Sequence, residues 1–341
     1  MVKGYALGRY QVRVVAVIVV VSIVAGMCFG GLNAPGEPLV GLTRGALTGA
    51  MISVVIGSIE VMVIGGRVGV RLRRLPFLVY LSGKIAVYVV AILAGNVLGA
   101  HFVPGMGYGT AFQMVTTNAL IFSFLMAVAV NFVLEVNRLL GPSALANFLL
   151  GTYFRPREED RVFVLLDLVN STAIAERIGA VGYHRLLNGA FGALTPVLLG
   201  RGGDVHKYVG DEVIVTWPAK PGAESRALAF ALDAIATITE RAGELERAYG
   251  APVGFRAAVH KGRVVAGELG DFKKEIALLG DPLNVAARLL QEARARDVQI
   301  IASGDALGGA ILPPGARAEP LGLIALRGRS QPLELFRVAG A

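Results

Sequence analysis

The chain has 341 residues, 54% of them hydrophobic and only 17% charged, with a mean hydropathy of +0.61. That is too apolar for a wholly soluble protein and too long for one small domain, so at least one membrane region is expected. The net charge of +8 is uneven: residues 1–150 hold 10 Lys and Arg against 3 Asp and Glu, and residues 151–341 hold 23 against 22. The basicity therefore belongs to the apolar half, where cytoplasmic loops collect it, and the remainder carries no electrostatic footprint for nucleic acid. The single cysteine, Cys28, lies in an apolar run, which excludes an intrachain disulfide and a cysteine-rich metal site.

Residues 14–32 form an uncharged run about as long as a ~30 Å hydrocarbon core requires. Lys3, Arg9 and Arg13 precede it as in a leader, but Met27 fits a lipoprotein cleavage site poorly and more apolar runs follow. The pattern predicts a retained first span. Further spans are predicted near Leu39–Gly66, Pro76–Val103 and Thr110–Leu134, giving an all-α four-helix transmembrane bundle over residues 1–136. Pro104, Gly105, Gly107 and Gly109 separate the last two. Arg67, Arg71, Arg73 and Arg74 join the second and third spans, whereas the first and third connections lack Lys and Arg. Both termini are thus expected in the cytoplasm, with the chain in a bacterial-type inner membrane. Glu60 and Lys84 each lie roughly 10 Å inside that face, at ~1.5 Å per residue, and are expected to pair.

Residues 137–160 read as a helical connector and linker, apolar at helical spacing over 140–150 and then charge-mixed between Gly151 and Asp160. Residues 161–341 read as an α+β domain. Arg161–Asp167 is a buried-strand pattern ending in a carboxylate, and Ser171-Thr172 offers an N-cap for a helix to about Leu199. A strand feeding a helix N-terminus makes an anion site, because unpaired N–H groups converge there. Asp204–Pro218 reads as two strands joined at Val209-Gly210, with Asp211 at the turn, and Ala223–Tyr249 as a helix. Strands follow around Gly254–His260, Arg263–Glu268 and Glu275–Leu279, then a helix over Pro282–Arg296. The last strands are placed near Val298–Ala302, Ile324–Arg327 and Leu333–Val338. The order strand, helix, hairpin, helix, strand is ferredoxin-like and sets Asp167 beside Asp211. Two such carboxylates can hold two Mg²⁺ ions against a triphosphate. His184, His206 and His260 lack metal-ligand spacing.

Four stretches, VFVLLDLVNSTAIAERIG, HKYVGDEVIVTW, AAVHKGRVVAGELG and LLGDPLNVAARL, stand in this order between residues 155 and 340. In them the chain resembles the class III nucleotidyl cyclases. The resemblance implies a membrane-anchored adenylate cyclase that converts ATP to 3′,5′-cyclic AMP and pyrophosphate. It would use two Mg²⁺ (or Mn²⁺) per site, at a homodimer interface holding two sites. It also implies roles: Asp167 and Asp211 bind both metals with the Leu168 carbonyl, and the backbone of Val169, Asn170, Ser171 and Thr172 cradles the β- and γ-phosphates. Arg263 binds phosphate from the same subunit. From the other subunit Lys207 contacts the purine, Asn284 orients the ribose and Arg288 stabilises charge on the α-phosphorus. Arg327 falls where the family usually has a phosphate-binding lysine, with Arg329 two residues on.

Asn284 and Arg288, four residues apart, share one helix face, and a guanidinium suits developing phosphoryl charge. One departure concerns the base: the family's adenine-reading Asp or Thr is here Ala277. Lys207 is retained where guanylate cyclases carry Glu, which favours ATP over GTP. The alternatives are a guanylate cyclase and a catalytically silent nucleotide-binding or receptor module. A diguanylate cyclase has no place for LLGDPLNVAARL.

Overall fold

Four long apolar helices open the chain: α1 (Val2–Asn33), α2 (Pro38–Gly65), α3 (Phe77–Phe102) and α4 (Thr117–Leu140). They come from a computed structural model that describes all residues except 1, 35, 66–71, 73–74, 103–116, 142–143, 273, 326–331 and 341. Two compact units result, Leu7–Leu139 and a second that holds Leu140–Ala341. The Arg67 to Arg74 cluster, the Pro104 to Gly109 break and the expected start at Thr110 lie outside the described residues, apart from Leu72.

Among the described residues three stretches are long and apolar enough to cross a membrane: Val15–Asn33, Pro38–Glu60 and Phe77–Ala94. The expected fourth span, near Thr110–Leu134, begins among residues that are not described. In α4 the apolar stretch is Phe124–Asn137. α1 and α2 approach backbone to backbone along a glycine seam. A Cβ on Gly26 or Gly45 would overlap the other's carbonyl, and Gly30 and Gly41 are related in the same way. Small residues at such positions give packing contacts that larger side chains would forbid. The unit is apolar outside and buries charged and amide groups beside an apolar cluster of Ile18, Ile56 and Ile92. Glu60, Lys84, Asn131 and Glu135 are buried, while Val17, Leu47, Leu78, Val90 and Phe132 are exposed. Glu60 and Lys84 pair as expected, Tyr88 donates its hydroxyl to Glu60, and Lys84 also reaches Glu135, 3.5 Å away on α4. Three helices thus meet on one lysine.

The second unit begins with the short helix α5 (Ala144–Leu149) and then β1 (Arg157–Leu168), which starts four residues earlier than the predicted linker allows. There follow α6 (Ser171–Arg201), β2 (Asp204–Val209), β3 (Glu212–Pro218), α7 (Ala223–Glu240), α8 (Ala242–Tyr249) and β4 (Phe255–Leu269). β5 (Glu275–Leu279), α9 (Asp281–Ala295), β6 (Ile300–Ser303), α10 (Gly304–Leu307), β7 (Arg317–Ile324) and β8 (Leu333–Ala339) complete it. The strands form one eight-stranded sheet in the order β2-β3-β1-β4-β6-β8-β7, with β5 on β4. β1 is central and buried on both faces, which is why its sequence is a continuous apolar run. Val162, Val164 and Leu166 pack in a core with Leu186 of α6 and Phe230 of α7. Phe163 and Leu165 join the other core with Val285 and Leu289 of α9. Asp167 follows Phe163 and Leu165 by alternation, so it stands on the α9 face.

Two strand predictions are corrected. Residues 254–268, read as two strands, form the single β4. Gly262 is not a turn: a Cβ there would meet Pro282 Cγ at 2.5 Å, so the glycine lets the start of α9 rest on the strand. The strand placed at Ile324–Arg327 is instead β7, ending at Ile324, and carries a register shift between Pro320 and Gly322. The helix predicted over Ala223–Tyr249 is two, broken at Arg241.

Candidate active site

β1 delivers Asp167 at its C-terminal end, where the strand pairs place it opposite Glu212 of β3 and Arg256 of β4. β2 and β3 are joined by the two-residue turn Gly210-Asp211. Gly210 has φ +61°, a left-handed conformation that glycine adopts without strain. The turn therefore sets Asp211 beside Asp167. Burial holds the Asp167 carboxyl above the usual range; a hydrogen bond from Arg294 opposes this and the neighbouring Asp211 adds to it. Glu212 is pushed up to about 7, by burial and then by Asp167 and Asp211. Three crowded carboxyls outnumber the single Arg294 guanidinium at Asp167, and a divalent cation can supply the remaining positive charge. Among the described residues no three His, Cys, Asp or Glu side chains form a closed metal cage. Two carboxylates and a carbonyl suit Mg²⁺, which is commonly held by one or two carboxylates plus substrate phosphates. The residues present fit that ion.

The turn after β1 leads into α6. Asn170, not Ser171, is the N-cap, with φ 57° and ψ 33°. The Val169 N–H is spent on the Gly254 carbonyl at 2.8 Å, which removes it from the expected phosphate cradle. Ser171 and Thr172 open the helix, where N–H groups have no intrahelical acceptor. Tyr183 of α6 borders the same carboxylates: burial raises its hydroxyl's pKa first, and Asp211 adds to it.

One expected residue is placed elsewhere. Arg263 pairs in register with Asp160, seven positions along β1 from Asp167, or about 23 Å at strand spacing. Its guanidinium lies 3.2 Å from Asp160 and 3.8 Å from Glu158. Because β4 runs antiparallel to β1, the β4 arginine in register with Asp167 is Arg256, whose guanidinium donates to Asp297 at 2.9 Å. Arg256 was missed because register is not written in a local pattern. Arg327 and Arg329 lie outside the described residues.

α9 lies along the sheet from the Gly262 end to the Asp167 end. Its first turn rests on Gly262 through Pro282, and Arg294 near its other end donates to Asp167 Oδ2 at 2.7 Å. Asn284 is exposed and stands ten residues before Arg294, about 15 Å back along the axis. Arg288 is half-buried, one turn after Asn284. Lys207 follows a bulge at His206 in β2, and its ammonium lies 3.7 Å from Glu275 of β5. Glu275 is two residues before the buried Ala277 and hence on the same side of its strand. An acceptor thus stands beside Lys207, two residues along β5 from where the motif was read.

Residues 155–338 match the Adenylate and Guanylate cyclase catalytic domain. The chain belongs to that cyclase family. As a cyclase it is 30% identical over 335 residues to Adenylate cyclase 2 of Rhizobium meliloti (strain 1021), a match spanning 96% of this chain and 91% of that one. Its fold is shared with a bacterial light-regulated adenylyl cyclase at 18% identity and a TM-score of 0.56, over 66% of each chain.

Proposed function

We propose that the protein is a membrane-anchored adenylate cyclase whose active site is completed by a second copy of the chain. The observation that carries this is the placement of α9. Arg294 already meets Asp167, so Asn284, about 15 Å back along the helix, does not reach the same nucleotide within one chain. Each chain holds two half-sites, and a two-fold dimer joins the Asp167/Asp211 half of one to the Asn284/Arg288 half of the other.

In this reading Asp167, Asp211 and the Leu168 carbonyl hold two Mg²⁺ or Mn²⁺. When bound, these ions lower the pKa of the ribose 3′-hydroxyl and brace the triphosphate. Arg256 supplies the same-chain cation for the phosphates, and Ser171 and Thr172 offer helix N–H groups to them. Asn284 orients the ribose and Arg288 meets charge developing on the α-phosphoryl group. Lys207 donates to a ring acceptor of adenine and Glu275 accepts from its amino group, a pairing that favours ATP over GTP. α1, α2 and α3 cross the bilayer, and α4 makes the fourth pass with its polar positions toward the bundle. The catalytic unit then lies in the cytoplasm.

Coexpression tests the shared site. Asp167→Ala and Arg288→Ala homodimers are expected to be inactive, and mixing them rebuilds one complete site per heterodimer, with cyclic AMP identified by mass. Heterodimers that form and stay as inactive as either parent would refute it.

A further inference from the structure

Arg294 stands in the last turn of α9, and its Nη2 donates to Asp167 Oδ2 at 2.7 Å. The partners differ in freedom: the Asp167 side chain is 12% exposed and that of Arg294 63%. No step of the reaction described above uses Arg294. A Mg²⁺ ligated by that oxygen would stand at ~2.1 Å from it, in the space the guanidinium N–H fills. Two positive charges a few ångströms apart would also repel. We propose that Arg294 is a built-in competitor of the metal, a cation stand-in that neutralises Asp167 until a divalent ion displaces it.

This rests on the reading of Asp167 as a metal ligand. Displacement needs no movement of α9, whose Leu289, Leu290 and Ala293 stay buried under the sheet while the arginine swings into solvent. Arg294 therefore sets how much metal the site requires and leaves the chemistry to the other residues. Partly exposed ion pairs are modest, so its removal is expected to tighten metal binding about two- to fivefold.

The test is a titration of the full-length protein in detergent with Mn²⁺ alone, following free ion by electron paramagnetic resonance. Wild type, Arg294→Gln, Arg294→Lys and Asp167→Asn are compared. Asp167→Asn is expected to lose a site that wild type has, Arg294→Gln to bind there about two- to fivefold tighter, and Arg294→Lys to stay nearer wild type. The metal concentration for half-maximal cyclase rate should fall by the same factor in Arg294→Gln. Equal or weaker binding in Arg294→Gln, with Asp167→Asn still deficient, overturns the competitor and leaves the metal reading standing. If wild type and Asp167→Asn bind Mn²⁺ alike, the metal reading fails and the competitor with it.

Discussion

Two arginines on one strand separate geometry from motif. Arg256 faces Asp167 across the β1–β4 pair, and Arg263 faces Asp160 at the other end. If phosphate is held beside the carboxylates, Arg256→Ala removes a charge-assisted contact worth about 1.5–3 kcal/mol, roughly a 10- to 100-fold fall in kcat/KM for ATP. Arg263→Ala, which leaves only exposed pairs, is expected to change it less than about threefold. Steady-state kinetics of both variants decides between them. His206 offers a different readout. Burial, then Lys207 and Arg161, hold its pKa below the ordinary 6.5. The unfolded chain therefore binds a proton there that the folded chain resists, so this group makes stability fall as pH drops below about 6.5. His206→Gln is expected to flatten the melting temperature against pH below about 6.5, and an unaltered slope would show that the imidazole is not responsible.

At the scale of elements, much of the fold was legible because patterns were local. Alternation and flanking glycines gave β2 and β3 within a residue, and the apolar run of β1 announced a strand covered on both faces. Gly262 misled because a glycine that admits a packed helix looks, in sequence, like one that makes a turn. β7 stayed hidden behind Pro320 and Gly322, which break the strand pattern while edge pairing to β8 maintains the strand. In the proposed site, the nearness of Asp167 and Asp211 followed from the strand and turn pattern, whereas the roles of Asn284 and Arg288 came from the family resemblance. Arg256, Glu275 and Arg294 depend on which elements lie side by side, and Glu135 joined Lys84 for the same reason. The α1–α2 seam makes its own prediction. Gly45→Val places a branched side chain against the Gly26 carbonyl, with no flexible group to yield, and overpacking of this kind costs about 1–3 kcal/mol. A lower melting temperature in detergent is expected, whereas Leu47→Val on the exposed face should leave it within error.

For the whole molecule, the decisive quantity is how many chains a working site contains. If two are needed, specific activity of the detergent-solubilised protein should fall on dilution, toward zero below the dimer dissociation constant, and recover on reconcentration. Specific activity constant down to the lowest measurable concentration would mean that one chain suffices. If the apolar helices anchor the chain as proposed, they bear on this, because anchoring holds copies in two dimensions and raises their effective concentration. Activity in reconstituted bilayers should accordingly resist dilution of the suspension.

The lengthwise course of α9 also has a genetic meaning. If a second copy completes each site as proposed, a lesion in one half spoils a site only when the damaged chain contributes that half. A cell making equal amounts of intact and Asp167-defective chains would keep about half of its sites, since mixed pairs retain one. Such an allele behaves as a simple loss of dose. A chain damaged at both Asp167 and Arg288 disables both sites of every mixed pair, leaving about a quarter, and so behaves as a dominant poison.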